Sequence, residues 1–133
     1  MKLILDSSAA VHIALQTEHA PALMAAVEAA HVVLSPQLIQ AEVGNALWKT
    51  IRWQGLDLSA ALAHYEDALS LVDQLLDDTS LMPQALRLAA QHQHPVYDML
   101  FIAAALQQGA RLLTVDKKLQ SLAALMQVQI PRE

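Results

Sequence analysis

Two short apolar runs near the ends of this chain each stop at an aspartate, and the sequence between them is patterned mainly for helices. The first is KLIL, Lys2 to Leu5, followed by Asp6; the second is RLLTV, Arg111 to Val115, followed by Asp116. Brief apolar runs that end abruptly read as buried strands. HVVL, His31 to Leu34, is of the same kind, and Val128 to Ile130 reads as a last strand. Strands alternating with helices predict an α/β domain with a parallel sheet. In open parallel sheets ligands bind at the carboxyl ends of the strands. Asp6 and Asp116 therefore stand where a site forms if their strands are neighbours.

The helical segments have recognisable ends. Ser7 or Ser8 is expected to cap a helix running to about Leu15, and Pro21 opens another from Ala20 to Ala30. Ser35 and Pro36 open a helix from Gln37 to Trp53 that stops at Gly55. Asp57 or Ser59 caps Leu58 to Ser70, and Thr79 or Ser80 caps a helix reaching Gln93. Val96 to Gln108 is helical and ends at Gly109, and Leu119 to Met126 forms a short helix. Leu71 to Leu76 is open between helix and strand. The expectation is one domain over residues 1–133, with a short central parallel sheet of four to five strands flanked by many helices.

Composition narrows the function. With 55% hydrophobic residues there is ample core, yet no apolar run reaches the roughly 18 residues of a membrane span. MKLILDSSAA does not read as a signal peptide. The chain has no cysteine, which excludes thiolate metal sites and fits a reducing cytoplasm. The net charge of -5 repels nucleic acid, so nucleic-acid binding requires a local basic patch or bound cations.

Four acids stand in apolar or strand-end settings: Asp6, Glu42, Asp98 and Asp116. Asp98 opens VYDMLFIAAAL and shares a helical face with Phe101, Ile102 and Ala105. Glu42 borders the stripe of Ile39, Val43 and Leu47, with Asn45 and Lys49 on its own stripe. Singly, each has an ordinary reading. Asp98 and Asp6 serve as helix caps, Asp116 as a turn residue, and Glu42 as a helix-surface residue. Together they suggest one acidic pocket. Clustered carboxylates raise one another's pKa unless a cation neutralises them. Without cysteine, the cation they suit is hard, Mg²⁺ or Mn²⁺. Such ions can hold the scissile phosphate of a negatively charged substrate.

Taken in order, LDSSAAV, LIQAEVGNALWK, VYDMLFIAAALQQGA and RLLTVDKKL resemble the PIN-domain ribonucleases of the VapC toxin type, over nearly the whole chain. The resemblance implies that Asp6, Glu42, Asp98 and Asp116 hold Mg²⁺ or Mn²⁺ and are catalytic, with Asp98 buried beside the metal rather than beside another side chain. Ser7, Asn45 and Thr114 would support them. It further implies in-line hydrolysis of RNA to a 5′-phosphate and a 3′-hydroxyl, a homodimer, and a cognate antitoxin.

Other features carry less. The six histidines, His12, His19, His31, His64, His92 and His94, show no zinc-protease spacing and read as loop or surface residues. Lys49, Arg52, Lys117 and Lys118 are candidates for RNA phosphate contacts. Trp48 and Trp53 point in different directions on one helix, one a candidate for the core and the other for an interface or a base. A phospho-acceptor signalling domain also places Asp at strand ends. It needs an acidic pair near the start and a Lys at a late strand end, and this chain has neither. A non-catalytic PIN-like module binding protein or RNA is the remaining alternative.

Overall fold

The computed structural model of the protein describes residues 1–131. Its elements run β1 (Lys2–Leu5), α1 (Ser7–Ala14), α2 (Ala20–Ala29), β2 (Val32–Pro36), α3 (Leu38–Gln54), α4 (Leu58–Ser70), β3 (Gln74–Leu76), α5 (Asp78–His92), α6 (Val96–Gln108), β4 (Arg111–Leu113) and α7 (Lys117–Leu125). The strands form one parallel sheet in the order β3-β2-β1-β4. The α/β layering matches expectation, and the sheet has four strands among the described residues.

β1 lies inside the sheet and pairs on both edges, Leu3 with Val33 and Ile4 with Leu112. Leu3, Ile4 and Leu5 have no exposed surface. Consecutive rather than alternating burial is what a parallel strand covered on both faces requires. The chain moves outward from β1 through β2 to β3 and then returns to β1's other edge as β4. The order of strands reverses between β1 and β4, and the carboxyl ends of strands at such a point are where ligands bind in open α/β sheets.

α6 packs against β1, β2 and β4 on one side and α5 on the other. Seven consecutive residues, Met99 to Ala105, are buried. The expectation of one core-facing stripe understated this: a helix apolar on all sides is covered on all sides. α5 supplies the second cover.

Several local expectations are corrected. Of the two cap readings for α1, Asp6 holds and Ser7 or Ser8 does not, the Asp6 carboxylate accepting from the Ala9 N–H. Asp77, not Thr79 or Ser80, caps α5 by accepting from the Thr79 N–H. In both cases an aspartate just upstream reaches the free amides first. β2 continues through Pro36, and α3 begins at Leu38. Pro36 is tolerated because it is the last residue of its strand, while the buried Ser35 hydroxyl donates to the Leu5 carbonyl at 2.7 Å. Leu71 to Leu76 resolves as strand at Gln74–Leu76. Val128 to Ile130 is not a strand, although the Leu112 N–H donates to the Gln129 carbonyl at 2.9 Å. Neither tryptophan is core: Trp48 is 53% and Trp53 70% exposed.

Candidate active site

Asp6 is the first residue beyond β1, and its N–H extends the ladder to the Leu113 carbonyl of β4 at 3.1 Å. The backbone then turns into α1, so the carboxylate is buried at the crevice between the two strands. Three donors hold it. Oδ1 accepts from the Ala9 N–H at 2.9 Å and the Ser8 hydroxyl at 2.8 Å, and Oδ2 from the Thr114 hydroxyl at 2.6 Å. Burial nevertheless pushes the Asp6 pKa up to about 6. The Thr114, Ala9 and Ser8 hydrogen bonds pull it down in part, and the Asp116 charge pushes it up further.

The buried Thr114 joins two acids. Its oxygen donates to Asp6 and accepts from the Asp116 N–H at 3.0 Å. Asp116 in turn caps α7, Oδ1 accepting from the Lys118 N–H at 2.9 Å and the Leu119 N–H at 3.2 Å. The cap reading of Asp6 thus holds as geometry, whereas Asp116, expected as a turn residue, is a helix cap, because α7 begins at Lys117 rather than Leu119. Ser8, which the sequence reading passed over as a support, closes the ring: it accepts from the Val115 N–H at 3.2 Å while donating to Asp6.

Glu42 and Asp98 approach from α3 and α6. Glu42 is half-buried, and its Oε1 accepts from the Ser7 hydroxyl at 2.9 Å. Burial raises its pKa, the Ser7 hydrogen bond lowers it, and the charges of Asp98, Asp116 and Asp78 raise it again. Asp98 sits in the first turn of α6 but is not its cap, a position held by Pro95. Burial raises its pKa, His94 lowers it, Asp116 raises it and Lys118 lowers it. The field of Asp116 therefore reaches the other three acids. Asp78 is a fifth acid in this neighbourhood, its Oδ1 accepting from the Leu38 N–H at 3.3 Å.

Asp98 has a side-chain neighbour, contrary to expectation: His94 Nε2 lies 3.4 Å from its Oδ2. His94 is also no surface histidine, since its side chain is only 8% exposed. The i, i+4 spacing of His94 and Asp98 was the available signal. It was obscured because the helix begins between the two residues.

A cleft of about 450 Å³ beside Glu42 is lined by Ser7, Leu38, Asn45, Lys49 and Tyr97, among others. Asn45 and Lys49 are thus at the site's rim. Lys117 lines a separate cleft with Thr114 and Gln120, and the Arg52 guanidinium stacks over Trp53, 4.7 Å from the ring centre. A cleft of about 710 Å³ lies at the opposite end of the sheet beside Met1 and Arg111, with no carboxylate among the described residues that line it.

The donor set suits a hard divalent cation. Asp6, Glu42 and Asp98 all have raised pKa values, and a positive charge among them would relieve the burial and repulsion responsible. As placed, no three His, Asp or Glu side chains among the described residues converge tightly enough to enclose an ion. The four acids communicate through their fields.

The PIN domain family matches residues 3–125. The chain is 28% identical to ribonuclease VapC3 of Pyrobaculum aerophilum over 128 residues, covering 90% of this chain and 92% of that protein. It is 36% identical over 78 residues to exonuclease VapC9 of the same organism, 59% of this chain and 57% of that one. Among solved structures it superposes on PAE2754 from Pyrobaculum aerophilum with a TM-score of 0.72 and 28% identity, covering 92% of this chain and 87% of the other. The fold is shared with a VapBC2 chain from Rickettsia felis, crystallised with a DNA fragment from its promoter, at a TM-score of 0.65, 14% identity and 98% of both chains. The matched span runs from β1 to the end of α7 and contains all four acids, so the chain belongs to the PIN domain family and is similar to its VapC-type members.

Proposed function

We propose that this chain is an Mg²⁺- or Mn²⁺-dependent endoribonuclease that hydrolyses RNA phosphodiester bonds, the toxin of a toxin–antitoxin pair. The observation that carries the reading is the set of buried or half-buried carboxylates at the β1/β4 crevice, each with its pKa raised and each within the field of Asp116. Asp6, Glu42, Asp98 and Asp116 would hold the ion. A divalent cation there supplies charge to bind the scissile phosphate and acidity to activate water.

The chain's own residues do the rest. Ser8, Thr114 and the Ala9 N–H fix the Asp6 carboxylate, and Ser7 fixes that of Glu42. Asn45 borders the same cleft. Lys49 offers a phosphate contact at its rim, and the exposed Tyr97 ring beside it offers a stacking face for a base. Arg52 and Lys117 would act farther along the RNA. Water adds to phosphorus and the 3′-oxygen departs with a proton, leaving a 5′-phosphate and a 3′-hydroxyl.

The protein works in this reading as one PIN-like domain over residues 1–133, in the cytoplasm, as a homodimer regulated by an antitoxin. Exposed apolar side chains on α3 to α5, such as Trp48, Leu58, Leu62 and Leu86, support protein contacts of that kind. No helix among the described residues is long and apolar enough to cross a membrane. The names of the VapC relatives support the nuclease and the antitoxin.

A second reading, a non-catalytic interaction module, is favoured by the lack of three convergent ligands among the described residues. Calorimetric Mn²⁺ titration of the metal-free protein separates the two, with Asp6→Asn and Asp98→Asn alongside. The nuclease reading expects binding that both folded variants weaken, and cleavage of RNA to 5′-phosphate ends. Absence of binding leaves the interaction module, and a 2′,3′-cyclic phosphate product refutes the metal-dependent hydrolysis.

A further inference from the structure

We propose that His94 is a nitrogen ligand of the divalent ion, its Nε2 sharing the ion with the Asp98 carboxylate; this rests on the nuclease reading above. The backbone fixes the ring before any metal arrives. Gln93 ends α5 in the left-handed region (φ 51°, ψ 49°), and the His94 N–H then caps the Ala89 carbonyl at 3.1 Å. Pro95 follows at once as the first residue outside α6. His94 Nδ1 lies 2.9 Å from the Pro95 carbonyl oxygen and can approach it this closely only as a donor. In the neutral ring this leaves Nε2 with a bare lone pair. That atom is buried and has no hydrogen-bond partner among the described residues.

The bare nitrogen faces a carboxylate. Nε2 is 3.4 Å from Asp98 Oδ2, in a direction that forms no hydrogen bond. The buried ring nitrogen and the carboxylate oxygen are held together by a positive charge between them. A divalent ion bound beside them would supply that charge, taking the ring nitrogen and the carboxylate oxygen as two of its ligands. The arrangement also has the usual mark of a metal-bound histidine, whose other ring N–H donates to a backbone carbonyl.

The consequence is selectivity. Carboxylates alone suit Mg²⁺ and Mn²⁺ alike, whereas imidazole favours transition ions and adds little for Mg²⁺. His94 therefore biases the site toward Mn²⁺ and its neighbours in the transition series.

The test uses the full-length, metal-free chain with one equivalent of Mn²⁺ and electron spin echo spectroscopy to detect ¹⁴N coupled to the ion. His94→Gln, with circular dichroism to confirm its fold, is compared in the same experiment and by calorimetry with Mn²⁺ and with Mg²⁺. His94→Asn is the second variant if the first does not fold. The expected result is a nitrogen coupling in the wild type that the variant loses. Mn²⁺ affinity should fall by about tenfold or more and Mg²⁺ affinity by less than about threefold. Mn²⁺ bound without nitrogen coupling, or a coupling that persists in the variant, overturns the role of His94 and leaves the carboxylate site standing. No Mn²⁺ binding at all overturns both.

Discussion

Replacing Asp6 with Asn should stabilise the metal-free protein at neutral pH and do nearly nothing in acid. The Asp6 carboxyl is displaced from 3.8 to about 6 on folding, mainly by burial. That displacement corresponds to roughly 3 kcal/mol held against the folded state once the group is ionised. The sign follows from the direction. The folded state binds the proton more tightly than the unfolded chain, so this contribution to stability declines as pH rises from about 4 to about 6 and is flat above. Asn removes the charge and keeps the cap, its oxygen still facing the Ala9 N–H and the Ser8 hydroxyl. It loses the Thr114 donor at the other position, at a cost of about 1 kcal/mol. The net gain is about 2 kcal/mol at pH 7.5, or a rise in Tm of about 6 °C for a chain of this size. Thermal unfolding of both proteins with a chelator present, at pH 7.5 and at pH 4.5, reads the difference. An equal gain at the two pH values, or a loss at pH 7.5, would refute the claim that a buried charge at Asp6 opposes folding.

Two further expectations follow from the same network and its surroundings. Thr114→Val keeps the side chain's shape but leaves both Asp6 and the Asp116 N–H short of a partner, and should cost about 1–3 kcal/mol in chemical denaturation; an unchanged midpoint would show that the Thr114 hydroxyl is not holding the two acids together. Gln93→Gly relieves a left-handed conformation at the end of α5 and should add about 0.5–1 kcal/mol, read as a higher Tm; a lower Tm would mean that the glutamine side chain, not the backbone, sets this turn.

Much of the fold was written locally. α4 and α6 begin and end where the apolar spacing, the Asp57 cap and Gly109 place them. Gly55 and Gly109 are left-handed, as helix-ending glycines require. KLIL is a strand that stops at its acid, whereas the RLLTV strand ends at Leu113, because Thr114 turns its hydroxyl to Asp6 instead of continuing the ladder. Asp6, Glu42, Asp98 and Asp116 were legible as candidates because each is an acid in an apolar or strand-end setting.

What the chain's local pattern did not carry was which parts meet. The adjacency of β1 and β4 brings Thr114 to 2.6 Å from Asp6 across 108 positions of sequence, and no periodicity encodes that contact. The cap choices at α1 and α5 went to Asp6 and Asp77 because the backbone path decides which oxygen reaches the first free amides. Val128 to Ile130 has a strand's composition, but only a single ladder bond from Leu112 meets it. The setting of His94 was hidden for the same reason, although its i, i+4 spacing from Asp98 was a signal. Its sequence neighbours are polar, and only the packing of α6 beneath the sheet, with α5 laid over it, buries the ring and turns Nε2 toward Asp98. Local chemistry decides what each segment can be; burial, which depends on every other segment at once, decides which of its polar groups are left facing one another.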